Sequence, residues 1–321
     1  MKLRTELYPI PASFSINYQT PMLGIGSCFT ENIGEKLAAR QLPIHQNPFG
    51  IVYNPLSIAT QLEILMSEKL FSEPDLVELN GEYHSWLHHG FYSDEKVEVA
   101  LNNINTSIEN ARLFLKNTKR LLITFGSATV FPLKSTGDVV ANCHKAPPQY
   151  FDRRRLSTTE IVAALSPILK KLSTQKIDLQ IIITISPVRH LRDGLIENNL
   201  SKATLLLAAD ELAQKFSNVS YFPAYELIMD DLRDYRFFER DMMHPTPQAI
   251  DYVWQFFSDT YFSEDTKTVI QEVEKINAMQ AHRPLKGLDT EGSKKFQKTL
   301  ALKILEVEKR FPFLKFSFQD T

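Results

Sequence analysis

Leu179 to Ile185 is apolar along almost its whole length, with only Gln180 and Thr184 interrupting. It is too short for a buried helix and has no polar face. Such a run reads as a strand covered on both sides, which is the signature of a parallel sheet lying between helices. Leu121-Leu122-Ile123-Thr124-Phe125 reads the same way and stops at Gly126. Shorter strands are expected at 22–26 and 218–223. Helical patterns separate them, at about 31–41, 56–70, 104–118, 157–172, 198–216 and 248–259. The helix from Ser157 opens with Ser157-Thr158-Thr159-Glu160, a capping box. This alternation argues an α/β fold built on a doubly wound, mostly parallel sheet.

The first strand, Met22-Leu23-Gly24-Ile25-Gly26, runs directly into Ser27 and then into a helical pattern with Ile33, Leu37 and Ala38 on one face. Thr30 or Asn32 is expected to cap that helix. Ser27 therefore stands on a strand-to-helix turn at the carboxyl edge of the sheet, where open α/β sheets bind ligands. Backbone N–H groups there face whatever negative charge develops beside the hydroxyl. An ordinary turn that happens to contain serine is the plainer reading.

Far along the chain stands Arg240-Asp241-Met242-Met243-His244-Pro245-Thr246-Pro247. The two prolines bar helix through this turn. Asp241, three residues before His244, can accept an imidazole N–H and fix its tautomer, leaving the other nitrogen as a base. A serine plus a histidine oriented by an acid is the nucleophile, base and orienter set of acyl transfer.

With both ends in hand, the chain resembles the GSCFA family, whose motif reads here Gly26-Ser27-Cys28-Phe29-Thr30. The resemblance spans roughly residues 1 to 285. It includes Asn47 to Pro55, Phe125-Gly126-Ser127-Ala128, Asn142-Cys143-His144-Lys145, Ser186-Pro187-Val188-Arg189 and Arg240 to Pro247. That family looks like a divergent branch of the SGNH (GDSL-type) hydrolases, which implies a flavodoxin-like three-layer sandwich. It also implies a catalytic Ser27, His244 and Asp241, and a small acyl ester as substrate, such as an acetylated sugar. In the SGNH pattern the nucleophile's N–H and a glycine N–H on the second loop hold the oxyanion, which implies Ser27 and Gly50; Gly50 could equally serve only a tight turn. The pattern's oxyanion asparagine is replaced here by Ala128, a departure that leaves Asn142 as the candidate substitute. Losing such a donor costs about 3 kcal/mol of barrier.

The resemblance further implies substrate contacts at His89, Gly126 and His144. His84 and His88 would share a face if their segment were helical, which invites a metal, but Tyr83, Trp86 and Gly90 and the lack of a carboxylate pattern argue against it. Arg189 and Arg192 could bind a substrate carboxylate or phosphate, or pair with Asp193 and Glu197. Cys143 beside His144 is a poor nucleophile–base pair, because adjacent side chains rarely face one another.

Only two cysteines exist, Cys28 and Cys143, which excludes a disulfide framework and a four-cysteine zinc site. A net charge of −2 gives no electrostatic reason to expect nucleic acid or an anionic membrane as partner. Met1 to Pro9 has no apolar signal core and no run long enough to span a membrane follows, so a cytoplasmic location is expected. The proposed chemistry needs no metal or organic cofactor. Charged helical stretches at 264–280 and 292–310, joined through Arg283 to Gly287, follow the core. The expected organisation is a catalytic domain over 1–262 and a helical extension over 263–321, open to self-association. An acyltransferase with the same triad, and a non-catalytic binding protein on the same scaffold, stay open as alternatives.

Overall fold

The computed structural model describes residues 4–282 and 290–317. Its centre is a sheet of β1 (Met22–Gly26), β2 (Ile44–Gln46), β5 (Arg120–Phe125), β8 (Gln180–Ile185) and β9 (Val219–Phe222). The order is β2-β1-β5-β8-β9 with every pair parallel. Counted within this sheet alone, that is the 2-1-3-4-5 order of flavodoxin-like folds, whose strand order reverses beside the first strand. β1 and β5 flank that reversal, so the residues following them, Ser27 and Gly126, share the switch point.

Alternation along the strands explains the layers. Leu23, Ile25, Leu121, Ile123, Ile181 and Ile183 face one side. There they meet α2 (Pro55–Leu65), α3 (Val97–Asn117), α4 (Thr158–Gln175) and α5 (Gly194–Lys215). Met22, Leu122, Ile182 and Phe222 face the other, against α1 (Cys28–Ala39) and α7 (Pro247–Tyr261). The central strands are buried throughout, as a sheet sandwiched by helices requires. The capping box at Ser157 and Glu160 forms as the sequence predicts.

Two expectations need correction. The sheet has a fifth strand, β2, whose three residues include His45 and Gln46 and so carry no apolar pattern. Helix α1 begins at Cys28 with Ser27 itself as its cap, not Thr30 or Asn32. Thr30 is instead buried with its hydroxyl on Thr124 Oγ1 at 2.8 Å. The extended segment before β1 is tied to the end of α7, its Ala12 and Ile16 amides donating to Thr260 O and Tyr261 O.

Two excursions rise from the carboxyl edge of the sheet. The first carries the hairpin of β3 (Val77–Leu79) and β4 (Glu82–His84); the second carries β6 (Thr129–Val130) and β7 (Arg154–Arg155). They lock together, the Ala141 amide donating to Trp86 O at 2.8 Å and Phe151 packing edge-on against Trp86. After β9, a single turn α6 (Ala224–Glu226) widens into a π-helical turn, Leu227–Leu232.

Helices α8 (Glu264–Ala281) and α9 (Glu291–Arg310) form the C-terminal extension and bury Val273, Ile276, Leu300 and Ile304 between them. They are held to the core at the end of α1, where Arg40 pairs with Glu274 at 2.7 Å and Asn277 donates to Ala39 O. The expected joint from Arg283 to Gly287 lies outside the described residues, as do Met1 to Leu3 of the N-terminal segment. Among the described residues no helix is long and apolar enough to cross a membrane.

Candidate active site

Gly26 ends β1 with φ +149°, and a Cβ there would sit 2.3 Å from Thr124 O. Only glycine lets β1 and β5 close this tightly just before the turn. Ser27 follows as N-cap, its Oγ accepting the Phe29 N–H at 3.4 Å, and the residue is 1% exposed. A hydroxyl here lies at the positive end of a twelve-residue helix. The Ser27 N–H meets Thr124 O at 3.4 Å, a long bond that continues the ladder.

Asn47 braces the same corner. Its N–H donates to Gly24 O and its Oδ1 accepts the Gly26 N–H at 2.9 Å, while its buried Nδ2 has no partner among the described residues. Gly50 follows with φ +80°, and a Cβ there would lie 2.2 Å from His89 Cβ. Its N–H donates to Asn47 O at 2.7 Å. The glycine is thus required by a tight turn and by close packing on His89, and its amide is already engaged.

The carboxylate–imidazole pair forms. His244 Nδ1 lies 2.6 Å from Asp241 Oδ2, while Asp241 Oδ1 accepts the Met243 and His244 amides at 2.8 and 3.0 Å. Those hydrogen bonds to the ionised form hold the carboxyl down at about 2. The turn is fixed by Glu239 N–H to His244 O and Thr246 N–H to Phe237 O, with Thr246 capping α7. Both side chains are open to solvent, Asp241 at 39% and His244 at 50%. Among the described residues His244 Nε2 has no hydrogen bond, and none joins it to Ser27. Residues near each of them, Phe29 and Asn32 of α1 and Pro245, line a common small hollow with Pro187 and Val188 beyond β8.

Three participants escape sequence reasoning. His190 stands beyond β8 with its ring edge-on to Tyr53 at 5.3 Å, and its buried Nε2 has no hydrogen-bond partner among the described residues. Burial first, then the charges of Lys202 and His244, push it down to about 4, so its imidazole is neutral. Tyr53 O accepts the Gly126 and Ser127 amides at 2.8 and 3.0 Å. Lys202, 1% exposed, donates from Nζ to Gly126 O and Ser186 O, each at 2.6 Å. Its only sequence signal is a polar position among the buried ones of α5, with Asn198 and Ser201 on the same face.

The other expected contacts divide. Asn142 Oδ1 accepts the His144 N–H at 2.9 Å, which leaves its Nδ2 as the donor end, and it makes no hydrogen bond to Ser27. His144 is buried, its Nε2 on Ser85 O at 2.8 Å and its ring 4.5 Å from that of His84; burial pushes it down to about 4. His84 and His88 do not share a helix, since His84 ends β4 and His88 lies in the turn beyond it. His88, held at about 3 by burial, packs between Phe49 and Phe71. Among the described residues no three His, Cys, Asp or Glu side chains converge as a metal requires. His89 alone of the cluster is exposed, against Gly50.

Arg189 forms no ion pair among the described residues and lies over the Phe238 ring at 5.4 Å. It lines a cleft of about 540 Å³ with Asn199, Tyr225, Met229, Tyr235 and Phe238. The expected partner Glu197 instead holds Arg155 at 2.8 Å, and the Asp193 side chain lies outside the described residues.

Cys28 is half-buried, and burial pushes its thiol up, away from the thiolate a nucleophile needs. Cys28→Ala is therefore expected to keep at least half of any esterase rate. A loss equal to that of Ser27→Ala in the same assay would transfer the nucleophile to the thiol.

The GSCFA family model matches residues 21–257. No match was found among curated proteins. Similar solved structures include an acetyl xylan esterase (Est2A) from the rumen bacterium Butyrivibrio proteoclasticus, 12% identical with a TM-score of 0.37. The match covers 84% of this chain and 65% of that one, so the chain spans less than two thirds of that protein's length. A carbohydrate esterase family 3 protein from Talaromyces cellulolyticus is 12% identical with a TM-score of 0.33, covering 80% of this chain and 99% of that one.

Proposed function

The chain belongs to the GSCFA family, and from that premise we propose that it is a serine hydrolase that cleaves a small acyl ester, an O-acetyl group on a carbohydrate. The observation that carries this reading is the 2.6 Å Asp241–His244 pair, whose neighbour Pro245 shares a hollow with Phe29 in the first turn of α1, the helix that Ser27 caps. Asp241 accepts the Nδ1 proton, so Nε2 is the basic nitrogen. Ser27 exchanges its cap bond for one to Nε2, transfers its proton there and attacks the acyl carbon. The tetrahedral oxyanion is met by the Ser27 N–H, turned from its long 3.4 Å bond to Thr124 O, by the positive end of α1 and by the Asn142 Nδ2 donor. Gly50 joins only by sharing the N–H it gives to Asn47 O. His244 then protonates the leaving alcohol, and a water it deprotonates releases the acid from the acyl-enzyme.

The substrate's body lies along the rim. His89 and Gly126 border the nucleophile's loops, His144 supports Asn142, and the cleft of Arg189, Tyr225, Tyr235 and Phe238 offers aromatic faces to a sugar ring. A fluorophosphonate probe followed by peptide mass spectrometry tests the nucleophile directly. The expected adduct is on Ser27 and disappears in His244→Ala. An adduct elsewhere, or none on the folded protein, overturns the reading.

A further inference from the structure

Helix α5 carries a buried polar seam where the apolar pattern of a sheet-packing helix would place aliphatic side chains. Asn198, Ser201 and Lys202 lie at i, i+3 and i+4 on one face, at 4%, 4% and 1% exposure. Each grips backbone just past a strand. Asn198 Oδ1 accepts the His190 N–H at 2.9 Å, Ser201 Oγ accepts the Ala128 N–H at 2.7 Å, and Lys202 Nζ reaches both Gly126 O and Ser186 O. The seam thereby joins the ends of β5 and β8 at one point. Burial pushes the Lys202 ammonium down to about 7, and the two carbonyl oxygens are the contacts that hold it at this depth.

We propose that Lys202 is a positioning residue of the active site, its ammonium fixing the loops beyond β5 and β8 so that Gly126 and His190 stand correctly beside the Asp241–His244 pair. The inference rests on the esterase reading for what is positioned, though not for the contacts themselves. The titratable groups that face Lys202 are the Cys28 thiol on α1 and the His190 imidazole beyond β8, and His190 is in turn within electrostatic reach of His244. The ammonium charge and the two carbonyl bonds act together. They hold the loop that carries His190, and the charge adds to burial in disfavouring protonation of that imidazole while His244 cycles its proton.

Two variants test this. In Lys202→Met, which keeps the length and loses the charge and donors, kcat for p-nitrophenyl acetate is expected to fall roughly 10²-fold with KM little changed, as for a misplaced site. The NMR titration midpoint of His190 is expected to rise, because a nearby positive charge has gone. A folded Lys202→Met with wild-type kcat and an unmoved His190 midpoint overturns the proposal. Should that variant not fold, Asn198→Ala releases the His190 N–H alone, and an unchanged kcat there is the overturning result. If the wild type hydrolyses no ester, the esterase reading fails, and the His190 titration still decides whether Lys202 governs that imidazole.

Discussion

Ser27→Ala is expected to lower kcat for a short-chain p-nitrophenyl ester by roughly four to six orders of magnitude, leaving KM nearly unchanged. In the proposed mechanism the hydroxyl oxygen forms the covalent bond, and neither neighbour replaces it: Thr30 is turned to Thr124, and burial pushes the Cys28 thiol up, away from the thiolate. The same substitution removes the cap of α1, and a serine cap is worth about 1 kcal/mol. The 3.4 Å cap bond places this case at the weak end. A thermal melt of the variant should therefore shift by only a few degrees, while the rate disappears. A folded variant that keeps more than a tenth of the wild-type rate would falsify the nucleophile assignment.

Asp241→Asn is expected to cost roughly 10² to 10⁴ in kcat, less than for a buried orienter because this pair is open to water. An asparagine Nδ2 facing His244 Nδ1 demands the other tautomer, with the proton on Nε2, and the base toward Ser27 is lost. Its Oδ1 can still accept the Met243 and His244 amides, so the turn and the melting temperature should be nearly preserved. The pH dependence follows from the carboxyl at about 2. A depressed group is ionised above its unfolded value and loses its charge only as pH falls through the folded one, so Asp241 stays ionised throughout the neutral range. Any fall in kcat/KM on mild acidification of the wild type then reports protonation of an imidazole. Retention of a third or more of the rate in Asp241→Asn would leave the carboxylate as a turn former and nothing else.

The parts of this molecule that were legible in the sequence are those whose causes are local. A capping box, a run of aliphatic residues ending in glycine, and an Asp-x-x-His turn closed by prolines each announce themselves within a few residues. Ser27 was legible as a turn residue, but its capping role was not, because Thr30 and Asn32 offer equally good caps; burial against Thr124 from β5 removes Thr30 from the contest. Strand β2 was hidden because three half-buried residues, His45 and Gln46 among them, need no apolar alternation once β1 supplies a partner. Gly50 looked like a donor by its place in the motif, yet His89, on a different excursion, sets the packing there. Lys202 and His190 depend on contacts among the ends of two strands and the helix between them, and no periodicity records those.

The proposed nucleophile directly follows the first strand, whereas the proposed orienter and base, Asp241 and His244, sit just ahead of the last helix on the sheet. A ribosome therefore exposes Ser27 early and supplies its base only after most of the chain has emerged. A nascent chain or an early-terminated fragment carries the serine with no imidazole to activate it. In the proposed mechanism, then, His244 cannot activate the serine until the chain has been made as far as residue 244.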